Sequence, residues 1–313
     1  MKYRQLGRTG LNVSVYALGT NSFGRRADEA TSIAILHHAI DHGVNLIDTA
    51  NIYFGSEDII GKALVGRRHE VILATKCGSR IGEGPNDTGS SRYHILREVE
   101  ASLRRLQTDV IDLYQIHRFD PATPLEETLR ALDDLVRQGK VRYIGCSNYT
   151  AWQLCKALWT SDRFGLARYD SVQPPYSPAH RRIEQELLPL CRDQGVGVIV
   201  YTPLGGGLFT GKYRPGAAPP PKSRAVTQAE FGDRFLTDRN LGLASTIAGI
   251  AEAAGAGMAE LVLAWVMAQE GVTSAIVGAT SASQQEQNLR AVELRVDPGV
   301  LAQVTEASKA FAL

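Results

Sequence analysis

Gly43-Val44-Asn45-Leu46-Ile47-Asp48-Thr49-Ala50-Asn51-Ile52-Tyr53 is a short apolar run that stops at a carboxylate and is followed, five residues on, by a phenol. Such a run reads as a buried strand whose last side chain emerges at the end of a sheet. The shape recurs. Val71-Ile72-Leu73-Ala74-Thr75 stops at Lys76, and Val110-Ile111-Asp112-Leu113-Tyr114-Gln115-Ile116 stops at His117. Successive strands are therefore expected to offer Asp48, Lys76 and His117 at one end, with Tyr53 in the loop after the first.

Helical patterns separate these strands. Ile33, Leu36 and Ile40 repeat at helical spacing over residues 28–42, and Gly43 stops that helix. A second helix is expected over 56–64, and Ile95, Val99, Leu103 and Leu106 line one face of a third. Thr123-Pro124-Leu125-Glu126 has capping-box spacing with proline at the first helical position, and Gly139 sits just past the stripe Leu125, Leu129, Leu132, Val136. Further strands are expected at 141–146, 169–172, 196–200 and 273–277, with helices at 151–159, 182–194, 241–253 and 258–269.

Ahead of them, residues 2–13 read as a hairpin turning at Gly7-Arg8-Thr9-Gly10, and 13–18 as the first strand of the main sheet. Helices at 283–291 and 298–311 close the chain. Eight strand-then-helix units predict an α/β fold, a (β/α)8 TIM barrel with an N-terminal β-hairpin cap and extra C-terminal helices, residues 1–313 forming one domain. In such a barrel the strand tips form the site. A doubly wound sheet is the rival, but Gly-x-Gly-x-x-Gly does not follow the first strand.

Composition narrows the partners. The formal net charge of +1, from 34 basic and 33 acidic residues, favours neither nucleic acid nor an anionic membrane as a bulk partner. Cys77, Cys146, Cys155 and Cys191 have neither Cys-x-x-Cys nor zinc-like spacing and read as reduced thiols. The first ten residues lack the apolar core of a signal peptide, and no later run is long enough to span a bilayer, so a cytoplasmic location is expected. No pattern reports the oligomeric state.

Singly, each polar strand tip has a plain structural explanation. Together they form a proton-transfer set. A phenol with an ordinary pKa of about 10 donates poorly near neutrality unless a cation stabilises its phenolate. Lys76 is placed to be that cation, Asp48 to hold Lys76 charged, and His117 to hold a substrate oxygen or share its proton. A nucleophile elbow, His-Glu-x-x-His and a glycosidase carboxylate pair are all missing. Protonating a carbonyl oxygen is half of a reduction, and no side chain supplies the hydride, so a nicotinamide cofactor is implied.

Two decoys fail. Gly206-Gly207-Leu208-Phe209-Thr210-Gly211-Lys212 imitates a phosphate-binding P-loop, but Tyr213 stands where magnesium needs a hydroxyl. His38 and His42 lie one helical turn apart without a third ligand, so no metal site is expected. Residues 205–224, from Gly205-Gly206-Gly207 past Pro219-Pro220-Pro221, form a long loop leaving a strand tip, read as a lid or cofactor clasp against a disordered excursion. Leu261, Leu263, Trp265 and Val266 read as core.

The stretch 43–53, Lys76, His117, Ile144-Gly145-Cys146-Ser147-Asn148 and Tyr201-Thr202-Pro203-Leu204-Gly205-Gly206-Gly207 resemble the aldo-keto reductase superfamily over most of the chain. The resemblance implies a catalytic tetrad at Asp48, Tyr53, Lys76 and His117. It also implies an extended nicotinamide dinucleotide across the strand tips. Thr20, Asn21 and Asp48 would line the nicotinamide end, Ser147, Asn148 and Gln173 would bind the carboxamide, and Tyr201 would stack on the ring. Thr202, Pro203, Leu204, Gly205 and Lys212 would meet the pyrophosphate, and Gly278, Thr280, Gln284, Gln287 and Asn288 the adenosine end.

Many members hold the 2′-phosphate of NADPH with an arginine or lysine between Thr280 and Gln284, and this chain has none there. The segment is instead similar to the branch containing the potassium-channel β subunits, in which an arginine from the long loop helps, and Arg224 falls at that place. NADPH is the expected cofactor, with NADH as the competing one, and a small-molecule aldehyde or ketone the expected substrate. Two other readings remain. A nicotinamide-binding regulatory subunit is the first, although the channel partners have asparagine where this chain has His117. A lyase using Lys76 as a Schiff base is the second, and it requires a deprotonated lysine that Asp48 opposes. Phe54 is expected to narrow the substrate pocket, with Arg118, Pro174 and Pro175 near its mouth.

Overall fold

The computed structural model describes residues 1–221, 223–227, 232 and 235–312, so Lys222 of the expected long loop lies outside the described residues. Two strands, β1 (Tyr3–Gln5) and β2 (Asn12–Ser14), pair antiparallel as the hairpin. Eight more run parallel and close on themselves: β3 (Tyr16–Gly19), β4 (Leu46–Asp48), β5 (Ile72–Cys77), β6 (Ile111–Ile116), β7 (Val141–Ser147), β8 (Ser171–Gln173), β9 (Gly197–Val200) and β10 (Ser274–Gly278). β10 pairs with both β9 and β3, which completes the ring. The fold is a (β/α)8 TIM barrel.

Helices cover its outer face: α1 (Glu29–Asp41), α2 (Ser56–Ala63), α3 (Arg92–Leu106), α4 (Leu125–Arg137), α5 (Ala151–Phe164) and α6 (Leu187–Gln194). The turn α7 (Arg224–Thr227) precedes α8 (Asp238–Ala253), α9 (Met258–Ala268), α10 (Ala282–Glu293) and α11 (Pro298–Ala307). Polar side chains start several of them, as the Asp28 carboxylate does by accepting from Thr31 N–H at 2.8 Å. The expected cap at Thr123 is not formed. Helix α4 begins at Leu125 after Pro124 without a side-chain cap, because the Thr123 hydroxyl donates at 2.7 Å to Asp120, whose carboxylate also collects the Ser90 and Ala122 amides.

The side-chain period of two sorts the strands into two cores. Ala17, Leu46, Ile72, Ala74, Leu113, Ile199 and Ile276 fill the barrel interior, while Leu18, Ile47, Leu73, Tyr114, Ile116 and Val172 face the helices. Leu261, Leu263, Trp265 and Val266 of α9 are fully buried, so that helix is core. Among the described residues no single helix is long and apolar enough to cross a membrane. All four cysteines are free thiols, three of them buried.

The hairpin stoppers the barrel floor with Leu6 and Val13, both fully buried. Its turn is tied there by the Arg8 amide, which donates to the Gly195 carbonyl at 2.8 Å. Gly7 sits in this contact at φ +56, where a Cβ would collide with the Gly195 oxygen and the Gly197 nitrogen. Gly7→Ala is therefore expected to cost more than about 1 kcal/mol. The check is a lowered urea midpoint with unchanged kcat, since the floor is remote from the strand tips.

Candidate active site

The same period of two that packs the interior carries its inward column up to the strand ends. In β4 Leu46 is followed inward by Asp48, in β5 Ile72 and Ala74 by Lys76, and in β6 Leu113 by Gln115, with His117 just beyond the strand. Register fixes their heights. Asp48 pairs with Ala74, so Lys76 stands one pleat above it, and Lys76 pairs with Gln115.

Lys76 has no exposed surface and donates to Asp48 Oδ1 at 2.6 Å and to the Thr49 carbonyl at 2.8 Å. Its ammonium also lies 5.3 Å from the centroid of the Tyr53 ring, and the two groups interact electrostatically. Burial pulls the Lys76 pKa down, but Asp48 and Tyr53 outweigh it and the net direction is up. Lys76 stays an ammonium, which removes it as a Schiff-base nucleophile.

Burial pushes the Tyr53 phenol up, and Lys76 offsets only part of this while Asp48 adds to it. The expected net lowering by the cation is therefore corrected: Tyr53 rests as a neutral phenol holding its proton. The His117 ring meets it edge-on, with centroids 6.0 Å apart and planes at 79°.

Burial pulls the His117 imidazole down from 6.5 to about 3, helped by Lys76 and Arg118, so the ring is neutral near pH 7. Its Nδ1 is buried without a hydrogen-bond partner among the described residues. Between these two pKa values the unfolded chain binds a proton that the folded site refuses. This group accordingly makes stability rise with pH through that window, with its full contribution reached above 6.5. The imidazole is expected not to titrate in NMR spectra between about pH 5 and 8, where an unperturbed histidine would.

A polar chain continues across the floor of the site. Tyr201 OH donates to Asn148 Oδ1 at 2.7 Å, Asn148 Nδ2 to Ser147 Oγ at 3.0 Å, and Ser147 Oγ to the Gln173 carbonyl at 2.8 Å. Gln173 Nε2 then donates to Asp48 Oδ2 at 2.8 Å. Asn148 (φ 60) and Thr202 (φ 54) adopt left-handed backbone, which non-glycine residues resist and which concentrates at ligand clamps.

These groups open into a cavity of about 370 Å³. Asp48, Tyr53 and His117 line it, with Lys76 directly behind Asp48. Thr20, Asn21, Ser147, Asn148 and Gln173 border it around the strand tips. Tyr201, Thr202, Pro203, Leu204, Lys212 and Arg224 border it from the connection after β9, Gly278 from the end of β10, and Thr280 and Gln284 from beyond that strand. Gly205, Gln287 and Asn288 do not line it. Gly205 is buried behind its neighbours, Gln287 is exposed on α10, and the Asn288 amide turns to the Gly278 carbonyl at 3.5 Å.

Phe54 does not narrow the pocket. It is 72% exposed, with the Arg25 guanidinium 5.6 Å from its ring centroid. Arg118 does line the cavity, whereas Pro174 and Pro175 do not. Arg26, Phe235 and Ile276 on the cavity wall, and Gln115 beneath Gln173, are not among the residues expected at the site. Gln115 was accessible from the alternation of β6; Arg26 lies in a loop with no periodic signal. No cluster of three or more metal-ligating side chains occurs among the described residues.

The donor set suits an elongated anionic cofactor. Asp48, neutralised by Lys76, is the only carboxylate among the described residues lining the cavity, against Arg26, Arg118, Lys212 and Arg224. After β9, Gly205, Gly206 and Gly207 all have positive φ, and a Cβ on Gly207 would sit 3.2 Å from Lys212 Nζ. A side chain there would fill the space beside the ammonium. On the same side Thr280 and Gln284 stand at the N-terminal end of α10, where the helix dipole favours negative charge.

Comparison with known proteins agrees with this architecture. The Aldo/keto reductase family profile matches residues 17–309. An uncharacterized oxidoreductase of Bacillus subtilis, YrpG, is 40% identical over 96% of this chain and 94% of its own length. A probable voltage-gated potassium channel subunit beta of Arabidopsis thaliana is 37% identical over 94% of this chain and 92% of its own. The L-glyceraldehyde 3-phosphate reductase of Escherichia coli O157:H7 is 33% identical over 93% of this chain and 88% of its own. The chain belongs to the aldo/keto reductase family and is an oxidoreductase.

Proposed function

We propose that the protein reduces an aldehyde or ketone to an alcohol with NADPH, reversibly, with Tyr53 as the general acid. The observation that carries this reading is the fully buried Lys76 ammonium, paired with Asp48 at 2.6 Å and 5.3 Å from the Tyr53 ring centroid, beside a neutral imidazole at the cavity. When bound, the nicotinamide supplies the hydride.

The protein's own groups manage the proton. Tyr53 holds it at Oη while the substrate carbonyl is neutral and releases it as negative charge builds on the carbonyl oxygen. Lys76 favours that release because its charge is already aligned in a site shielded from water. His117, neutral, donates a hydrogen bond to the same oxygen. Asp48 keeps Lys76 protonated and in place. In the oxidation direction Tyr53 accepts the proton instead.

In this reading Thr20, Asn21 and Asp48 border the nicotinamide, Ser147, Asn148 and Gln173 bind its carboxamide, and Tyr201 stacks on one face. Those polar groups presently bond one another, so their bonds would be exchanged rather than created. Thr202, Pro203, Leu204, Gly205 and Lys212 would serve the pyrophosphate, and Gly278, Thr280, Gln284, Gln287 and Asn288 the adenosine. Of these, Gly205, Gln287 and Asn288 lie back from the cavity wall and are the weakest members. The whole chain would act as one cytoplasmic domain on a small carbonyl compound, with neither nucleic acid nor membrane as partner.

NADPH is favoured over NADH because Arg224 lies on the cavity wall. A guanidinium there suits the 2′-phosphate. Arg224→Ala is expected to weaken NADPH binding roughly 10- to 100-fold and NADH binding much less. Titration of the two cofactors measures both effects, and equal losses would remove that role. For the reaction itself, NADPH and NADH are offered in parallel with aldehydes, dicarbonyls and ketones. Tight NADPH binding without turnover would instead favour the regulatory-subunit reading.

A further inference from the structure

The cations around the cavity stand on two separate sides. Lys212 and Arg224 rise from the connection after β9, and Arg26 from the loop after β3. Strands β9 and β3 flank β10, so all three cations share the side on which α10 begins. Arg118 follows β6, which lies opposite β10 in the ring. It therefore has no place among the groups assigned to the cofactor's phosphates.

Arg118 lines the cavity one residue after His117, and its charge reaches the imidazole. Buried or bridging arginines elsewhere have clear structural partners, such as Arg68 with Asp112 and Arg105 with Glu57, both at 2.7 Å. Arg118 is exposed and makes no salt bridge with any carboxylate of the described residues. The cavity's own carboxylate, Asp48, is already engaged by Lys76 and Gln173. A guanidinium so placed offers a planar pair of donors to an anion entering from solvent.

We propose that the substrate is a carbonyl compound that also bears a carboxylate or phosphate, gripped by Arg118 while Tyr53 and His117 hold the carbonyl oxygen. This deepens the reductase reading and rests on it. Arg118, His117 and Tyr53 line the same cavity, so one molecule bound there meets both the guanidinium and the proton-transfer groups. Arg118 acts as a specificity residue for that group and takes no part in proton transfer.

The test uses matched substrates and the full chain. Kinetics with NADPH are measured for succinic semialdehyde against butanal and for glycolaldehyde phosphate against glycolaldehyde, in wild type, Arg118→Ala and Arg118→Lys. Wild type is expected to favour the charged member of at least one pair in kcat/KM, and the preferred pair tells carboxylate from phosphate. In Arg118→Ala that discrimination ratio falls roughly 10- to 100-fold, carried mainly by KM, and Arg118→Lys recovers part of it. Added salt reduces the wild-type ratio more than the Arg118→Ala ratio. Equal rates for charged and neutral members in wild type, or an equal fall for both in Arg118→Ala, would overturn the proposal while leaving the reductase reading intact. Absence of turnover with every carbonyl compound would overturn both.

Discussion

Tyr53→Phe lowers kcat by about a hundred- to ten-thousandfold, the range that loss of a positioned general acid produces. The substitution removes one oxygen. The ring is only partly buried, and its edge contact with His117 at 6.0 Å survives in phenylalanine, so neither the fold nor the loop after β4 is expected to change. Cofactor binding should persist, because Tyr53 lies at the reacting end of the cavity, away from Lys212 and Thr280. Turnover and NADPH titration on one preparation separate the outcomes. A near-normal rate would remove Tyr53 as the acid, and joint loss of rate and binding would make it a structural residue.

Lys76→Met is expected to damage both stability and rate. It leaves the Asp48 carboxylate, 3% exposed, without the ammonium that lies 2.6 Å away. Breaking a buried pair by removing one partner costs about 3–5 kcal/mol. Asp48 would keep Gln173 as a donor at 2.8 Å, which places the expected cost nearer the lower end. Turnover should fall as far as in Tyr53→Phe, since the phenol loses the charge that favours proton release.

Adding Asp48→Asn to Lys76→Met removes the stranded charge. The double variant should regain most of the lost stability and none of the lost activity. Urea unfolding at constant m-value, with kcat on the same samples, checks this pair of results. If Lys76→Met were as stable as wild type, the two groups would not be a coupled buried pair. If the double variant regained turnover, Lys76 would not be the cation that assists Tyr53.

The barrel and the polar groups at its open end were legible for one reason. Strands buried on both faces read as apolar runs, and each run breaks where its last side chain faces the open end of the barrel. Asp48, Lys76 and His117 stand at those breaks. Tyr53 was found because it follows the first break within one turn. Legibility declined where tertiary contacts choose between local options. Thr123 has the spacing of a cap, but Asp120 claims its hydroxyl. Phe54 sits beside Tyr53 in sequence, yet a left-handed Gly55 follows and its ring lies against Arg25 at the surface.

The electrostatics were only half legible. Lys76 was identified as the cation beside the phenol, but sequence carries no measure of desolvation, and burial sets the direction of the Tyr53 shift. Arg26 and Arg118 owe their positions on opposite sides of the cavity to barrel order, which appears only when β10 closes onto β3. Gln287 shows the converse. It falls in the segment expected to meet the adenosine, but the helical phase of α10 turns it to solvent.

The most direct test of the account is a stoichiometric one. Purified protein is incubated with NADPH and a carbonyl compound, and the NADPH consumed and the alcohol formed are quantified together, with Tyr53→Phe run alongside. The account predicts one alcohol for each NADPH consumed by wild type, and a rate at least about a hundredfold lower in the variant. NADPH loss without alcohol, or equal alcohol formation by both proteins, would contradict it.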